Sequence, residues 1–252
     1  MAYVWQRWIA DDLRKAGLKV VEIEGWKNRG RPASTGNFDP EGASTTHHVG
    51  ATTSESNPNA ALNLLITGRS DLPGPLCHVA TAYDGTVYVI AAGRANHAGR
   101  VGKTGVVGMP IYADGNALAL GNEVMTNGTQ KMPKAQEDAI AKVAAVFANR
   151  HGRNSNWAHR HEDISSSGKW DLGQWTTAEL RRRVSNAQNE LADKKTLPKR
   201  IKTARQEITV EIKRLRKART AARKRGDDVT RITAAIKALR SAKRNLAKVP
   251  KV

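Results

Sequence analysis

The chain lacks the features of a disulfide-rich protein and of a membrane-spanning protein. It has a single cysteine, Cys77, among 252 residues, so an internal disulfide framework is excluded. No run of 18 apolar residues occurs, and the sequence therefore predicts no transmembrane helix. The first twelve residues end in Asp11 and Asp12, where a signal peptide would be continuously apolar, so we expect no secretory signal.

The positive charge is concentrated at one end of the chain. Residues 176–252 contain 24 Lys and Arg against 7 Asp and Glu, a balance of +17, whereas residues 1–175 contain 18 against 16. The formal net charge of +19 is therefore almost entirely a property of the C-terminal segment. We expect two parts: a domain of ordinary composition over 1–175, and a cationic module over 176–252 that suits a polyanionic partner.

The first part alternates between helical and strand patterns. Apolar residues at helical spacing predict helices, and residues of alternating polarity or in short apolar runs predict strands. The predicted helices cover 3–17, 60–67 and 134–150. The predicted strands cover 18–23, the two arms of a hairpin around Asp84-Gly85, and 117–124, with a loop over 26–45. Strands separated by helices predict an α/β fold, a sheet with helices packed on it.

The second part reads as helix throughout. Three apolar stripes begin at Leu180, Leu197 and Val229, with expected breaks at Leu197-Pro198 and at 226–228. The near 3–4 repeat predicts two or three antiparallel helices in a coiled-coil-like hairpin with basic outer faces. The alternative is a plain solvated helical stalk, because runs of charge are commonly just solvated.

The segment 161–173 contains several candidate catalytic and metal-binding side chains. Lys169 and Asp171 follow His161 at eight and ten residues, in a stretch that is too rich in Ser and Gly to be a helix. A histidine and an aspartate can supply two of the three protein ligands of a catalytic zinc. The lysine places a positive charge where an oxyanion would form. A third ligand must come from elsewhere, and His47-His48 offers one. A solvated turn is the alternative interpretation.

This segment resembles the C-terminal zinc loop of the type 2 N-acetylmuramoyl-L-alanine amidases. That family shares its fold with the peptidoglycan recognition proteins and includes many phage endolysins. Its loop ends in Lys-x-Asp-Pro-Gly, which here reads Lys169-Trp-Asp171-Leu-Gly173, so Leu172 replaces the usual proline. The other four family motifs occur in order: Thr46-His47-His48-Val49-Gly50, the strand-turn-strand around Asp84-Gly85, Asn96-His97-Ala98-Gly99 and Leu120-Gly121-Asn122-Glu123-Val124.

The resemblance, which spans residues 40–173, implies an α/β fold with a central mixed β-sheet flanked by helices. It implies a Zn²⁺ hydrolase that cleaves the amide between N-acetylmuramic acid and L-alanine of bacterial peptidoglycan. Its Zn²⁺ ligands would be His47, His161 and Asp171. Glu123 would be the general base, and Lys169 would stabilise the oxyanion.

Several assignments within this site leave alternatives open. His48 competes with His47, and strand alternation allows only one of the two to point inward. His159 competes with His161, but the spacing to Lys169 and Asp171 favours His161. Groove-lining substrate contacts are expected from three residues: Asn96, His97 and His48. His97 could instead be a surface or satisfied core histidine.

Three function classes compete. The first is a zinc amidase of the endolysin type, and the second is a non-catalytic module of the same fold that only binds peptidoglycan. The third, a nucleic-acid-binding protein, is disfavoured because the basic helices lack interleaved aromatics, and we expect no nucleic acid partner. The expected partners are peptidoglycan and, through the basic tail, anionic wall polymers or lipid headgroups. An endolysin without a signal would be held in the host cytoplasm until a separate membrane-permeabilising protein releases it to the cell wall.

Overall fold

The structure, a computed structural model, describes residues 3–102 and 104–249. It divides the chain into two compact units, residues 1–189 and 190–252. Within the described ranges, none of the helices combines the length and the apolar character that crossing a bilayer would require. The functional boundary expected after residue 175 stays a prediction.

The centre of the first unit is a six-stranded mixed sheet. Its strands are β1 (Val20–Glu22), β2 (Ala43–His48), β3 (Val79–Thr81), β4 (Val87–Val89), β5 (Ala119–Val124) and β6 (Ala158–Arg160). The strand order is β1-β4-β3-β5-β2-β6, in which β3 and β4 pair antiparallel and all other neighbours pair parallel. The carboxyl ends of β2, β3, β5 and β6 therefore meet at one edge of the sheet.

Helices cover this sheet as the sequence predicts. The first unit contains α1 (Ile9–Lys15), α2 (Leu62–Thr67), α3 (Gly115–Leu118), α4 (Lys134–Arg150), α5 (His161–Ile164) and the beginning of α6 (Thr177–Lys224). Helix α4 buries Ile140, Val143 and Phe147 against β2 and β5, and α1 packs on α4 and β1. This arrangement confirms the predicted α/β class.

Several element boundaries differ from the predicted ones. Helix α1 begins at Ile9, not near residue 3, because the preceding backbone bonds to other segments: the N–H of Val4 donates to the carbonyl of Phe38 and that of Gln6 to Ala92. Strand β5 begins at Ala119 because the short helix α3 precedes it.

The expectation that residues 161–173 contain no helix is wrong at their start. Residues His161–Ile164 form a single helical turn, α5. The side chain of Asp163 accepts a hydrogen bond from the backbone N–H of Arg160 at 3.0 Å and so caps this turn. The rest of the segment is loop, as predicted.

The second unit contains the remainder of α6 and the helix α7 (Thr230–Ala247). The expected break at Leu197-Pro198 is wrong, because Pro198 lies inside α6. Pro198 is exposed, so water can satisfy the carbonyl that proline deprives of its donor. The second expected break is confirmed: the chain turns at Gly226, whose φ of 77° favours glycine. Coiled-coil packing of these helices stays a prediction.

Candidate active site

Three side chains converge at the carboxyl edge of the sheet. His47 lies at the end of β2, His161 begins α5 directly after β6, and Asp171 follows in the loop. Oδ2 of Asp171 lies 2.9 Å from Nδ1 of His161 and 3.4 Å from Nδ1 of His47. One ligand atom from each residue can be chosen so that all three lie within 4.8 Å of one another, and all three residues are buried. The sequence predicts this cluster, and the fold brings it together.

The local backbone explains why the loop returns to the histidine. The N–H of Glu162, in the first turn of α5, donates to the carbonyl of Asp171 at 2.7 Å. The parallel pairing of β2 with β6 places Thr46 opposite Arg160, so the next residues in the two segments, His47 and His161, are neighbours, and their ring centroids are 4.4 Å apart. His47 and His161 are therefore positioned by the sheet, and Asp171 by a backbone hydrogen bond to α5.

The two alternative histidines lie elsewhere. His48 is partly exposed, and its ring packs edge-on against Trp170 with centroids 4.3 Å apart. His159 lies on β6 with its Nε2 2.9 Å from the carbonyl of Val107. Neither belongs to the cluster of three, although His48 lines the same cleft.

The charge states of the cluster suit a divalent cation. Burial lowers the pKa of His47 to about 4, so the ring is neutral near pH 7. Burial alone would raise the pKa of Asp171, but the two imidazoles, His161 foremost, outweigh it and hold that pKa well below its ordinary value. Two imidazoles and one ionised carboxylate that converge from three chain segments are the donor set of a catalytic zinc site. The residues present therefore fit Zn²⁺.

Glu123 lies beside this cluster. It is on β5, in register with His47 on β2. Its Oε2 is buried and has no hydrogen-bond partner among the described residues. Burial raises the pKa of Glu123 to about 8, the negative charge of Asp171 adds to the increase, and Lys169 opposes it. A carboxyl group that titrates near neutral pH is suited to accept and return a proton.

A cleft of about 440 Å³ opens over these residues. Lys169 lies on its wall, in the loop after α5, and its side chain is exposed. Asn96 also lines the cleft, while its Nδ2 donates to the carbonyl of Pro73 at 2.8 Å. The lining also includes apolar and basic side chains, Val49, Leu64, Leu65, Arg69, Leu72, Leu76 and Arg100, and polar ones, Asn116, Ser165, Ser166 and Ser167. The roles expected for Lys169, Asn96 and His48 stay predictions.

His97 also borders the cleft, but both of its ring nitrogens have partners inside the protein. Nδ1 lies 3.2 Å from Nε2 of His47, and Nε2 lies 3.1 Å from the carbonyl oxygen of Ala119. Its expected role as a substrate contact stays a prediction, although no ring nitrogen is left unpaired for a substrate.

Two further residues near His97, Asn116 and Gly121, have roles that the sequence patterns do not predict. Oδ1 of Asn116 accepts hydrogen bonds from three successive backbone N–H groups, those of residues 97–99, and nothing in the local sequence signals this. A Cβ on Gly121 would lie 2.6 Å from Cγ of His97, so this position requires glycine. The Gly-x-Glu spacing was a usable signal for Gly121, but its physical reason is visible only in three dimensions.

A known protein family matches the central part of the chain. The sequence profile of the Amidase_2 family, described as N-acetylmuramoyl-L-alanine amidase, matches residues 41–174. The matched region is more than half of the chain and contains all of the residues above. The chain belongs to this family of amidases. No curated protein sequence matched the chain.

Solved structures similar to the chain are distant in sequence. The N-acetylmuramoyl-L-alanine amidase LysC from Clostridium intestinale URNW is 20% identical, with 59% of this chain and 86% of that one covered and a TM-score of 0.42. A selenomethionine derivative of AmpD is 19% identical, with 66% and 94% covered and a TM-score of 0.46. The catalytic domain of XlyA is 15% identical, with 66% and 99% covered and a TM-score of 0.46.

Proposed function

We propose that this protein is a zinc-dependent N-acetylmuramoyl-L-alanine amidase that hydrolyses the amide between N-acetylmuramic acid and L-alanine of bacterial peptidoglycan. The observation that carries the proposal is the buried cluster of His47, His161 and Asp171 in an open cleft. Beside it lies Glu123, whose Oε2 atom has no hydrogen-bond partner in the described part of the chain. Membership of the amidase family supports the same substrate bond. The role in host lysis, and storage in the host cytoplasm before release to the cell wall, are part of the proposal.

Each residue has a distinct task in the proposed reaction. Zinc held by the two imidazoles and the carboxylate would lower the pKa of a water and polarise the scissile carbonyl. Glu123 accepts the proton of the attacking water on its carboxylate and returns it to the leaving amine. Lys169 places its ammonium charge at the cleft wall, where it can stabilise the oxyanion.

The main alternative is a peptidoglycan-binding module of the same fold without catalysis. The complete ligand set and Glu123, whose Oε2 atom is buried, favour the enzyme. A binding module has no use for a carboxyl oxygen that is buried without a hydrogen-bond partner among the described residues, because such an atom is costly to keep.

Two measurements on the purified full-length chain test the proposal. The first is the zinc content per chain, expected to be close to one. The second is the release, from isolated cell walls, of peptides that begin with a free L-alanine amino group. An Asp171→Ala variant serves as the inactive control. Walls left intact by a zinc-loaded protein that still binds them would support the binding module.

The second unit supports a second function, attachment to an anionic surface. Residues 190–252 contain 21 Lys and Arg against 6 Asp and Glu. Buried apolar side chains are few in its described part: Ile212, Ala222 and Ile236. A groove of about 900 Å³ is lined by apolar residues of α6 and α7 and the segment after α7, among them Leu197, Ile201, Val210, Leu246 and Val249. The charged side chains that line it are all basic: Lys202, Arg205 and Lys243.

An apolar groove with a basic lining favours an anionic lipid surface over a purely polar wall polymer. The polymer would need the charge but not the groove. The high like charge of the unit also opposes pairing with a second copy.

Vesicles of anionic and of zwitterionic lipid, with polyphosphate as a polar polyanion, distinguish these partners. Ile201→Gln with Leu246→Gln should weaken binding of the full-length chain to anionic vesicles and leave polyphosphate binding unchanged. Equal loss on both would instead indicate damage to the helices. Binding to the polyanion alone by the unaltered chain would favour wall polymers.

A further inference from the structure

His97 contacts His47 at the ring nitrogen opposite to the one that faces Asp171. Nε2 of His47 lies 3.2 Å from Nδ1 of His97, whereas Nδ1 of His47 lies 3.4 Å from Oδ2 of Asp171. A further contact extends this series: Nε2 of His97 lies 3.1 Å from the carbonyl oxygen of Ala119. His47 is thus connected through His97 to a backbone carbonyl on β5.

The carbonyl of Ala119, at the end of this series of contacts, determines which ring nitrogens of His97 and His47 carry protons. A carbonyl oxygen can only accept, so Nε2 of His97 carries a proton and donates it to Ala119. In the neutral ring, Nδ1 of His97 then has a lone pair and accepts from Nε2 of His47. Nδ1 of His47 is left with its lone pair, directed toward the cluster of His161 and Asp171.

We propose that His97 is a positioning residue that fixes the tautomer of His47 and so makes Nδ1 its metal-binding nitrogen. The inference rests on the proposed zinc site, because it assigns a role to a residue that contacts one of its ligands. Partners that orient a histidine ligand through its other ring nitrogen commonly contribute about 10- to 100-fold to metal affinity.

The surroundings of His97 hold its ring in this position. Oδ1 of Asn116 accepts hydrogen bonds from the backbone N–H groups of His97 and Ala98, each at 2.8 Å, and of Gly99 at 3.2 Å. Asn116 is itself held at the start of α3, where its N–H donates to the side chain of Asp114 at 3.1 Å. The backbone that carries His97 is therefore clamped by one amide oxygen.

Gly121 supplies the space that the ring occupies. A Cβ at this position on β5 would lie 2.6 Å from Cγ and 2.7 Å from Nδ1 of His97. Any side chain at this position would push His97 from its place beside His47. Gly121 thus leaves space for the ring of His97, and the proposed base, Glu123, follows two residues later on the same strand.

Paired substitutions separate this role from a merely structural one. In His97→Asn, the side-chain oxygen lies near the position of Nδ1 and can still accept from His47. In His97→Leu, a side chain of similar size cannot accept. Zinc affinity, measured by competition with a chromogenic chelator, should decrease about 10- to 100-fold in the leucine variant and recover largely in the asparagine variant.

Gly121→Ala provides an independent variant if His97→Leu fails to fold. It displaces the ring without removing a polar group, and zinc affinity should fall as it does for leucine. The imidazole ¹⁵N chemical shifts of His47 in the zinc-loaded wild type give a direct readout. We expect a protonated Nε2 and a metal-bound Nδ1, and a metal-bound Nε2 would overturn the proposal.

The kinetic readout separates positioning from substrate contact. With zinc at saturation, the folded His97→Leu protein should keep the wild-type KM. A higher KM at unchanged zinc affinity would make His97 a substrate contact and overturn the proposal. A wild-type chain that binds no zinc would instead refute the proposed function, which keeps the two failures distinguishable.

Discussion

His47 and Glu123 occupy the same register position on the paired parallel strands β2 and β5. Side chains in register on neighbouring strands point to the same face of a sheet, so the expected metal ligand and the expected base lie side by side. Two motifs that are 76 residues apart in sequence therefore form one site through a single strand pairing.

We predict that Glu123→Gln slows hydrolysis by at least about 10²-fold while the protein keeps its zinc and its fold. Glutamine has the same shape but cannot take up a proton, and a positioned acid/base group contributes roughly 10²- to 10⁴-fold to the rate. The substitution also replaces a buried carboxyl group without a partner at Oε2, so the thermal stability should not decrease. Turnover of a soluble muramyl peptide, zinc content and melting temperature provide the test. Unchanged turnover would remove Glu123 from the mechanism.

We predict that each of the three ligands is needed for metal binding. His161→Ala and Asp171→Ala should each lose most of the zinc and the activity, because zinc keeps its affinity only with its full ligand set. His48→Ala is the matched control, since His48 packs on Trp170 outside the cluster. Metal analysis after dialysis checks this. Loss of zinc in His48→Ala, with His47→Ala unaffected, would place the ligand one residue further along the strand.

We predict that His78 makes the protein sensitive to acid. Burial lowers the pKa of His78 to about 3, and Nδ1 of this ring accepts a hydrogen bond from the N–H of Gly121 at 2.8 Å. The unfolded chain takes up this proton near pH 6.5, whereas the folded chain does not. The stability is therefore complete above about pH 6.5 and decreases as the pH falls toward 3, by up to about 1.4 kcal/mol per pH unit.

His78→Asn isolates this contribution, because the amide oxygen can keep the hydrogen bond from Gly121 but cannot titrate. Urea unfolding between pH 7 and 4 should show a smaller decrease in the free energy of unfolding for this variant than for the wild type. Other groups, including the zinc ligands, contribute equally to both proteins, so the difference reports His78. Parallel curves for the two proteins would show that His78 does not make this contribution.

The sequence predicts individual helices and strands well, but it predicts contacts between residues that are distant in sequence poorly. Helix α4 has its predicted bounds, Lys134–Arg150, because its apolar period is long and uninterrupted. The grouping of His47, His161 and Asp171 was expected from the resemblance to the amidase family, because ligand chemistry alone left His48 open beside His47. The contact between His97 and His47 was not predictable, because it depends on the backbone hydrogen bonds to Asn116 and on the space that Gly121 leaves, and both arise only in the folded chain. The predicted helix break at Pro198 was wrong, because the rule that proline ends a helix does not take account of exposure to water.

The first unit ends inside a helix, α6, and not at the change in composition after residue 175. The first unit extends to Asn189, so it includes the start of α6. Leu180 and Val184 are completely buried, and Arg183 forms an ion pair with Glu137 at 3.2 Å. A truncation after Trp175 removes these side chains, whereas one after Asn189 keeps them.

We therefore expect the chain 1–189 to fold and to keep its zinc, and the chain 1–175 to be destabilised. Full burial of one Leu or Val side chain stabilises by about 1.5–3 kcal/mol, so the loss of Leu180 and Val184 should cost at least about 3 kcal/mol. Urea unfolding of both truncated proteins measures the difference. Leu180→Ala in the full-length chain is a matched control and should reproduce part of the loss. Equal stability of the two truncated proteins would instead place the boundary at residue 175, where the change in composition predicts it.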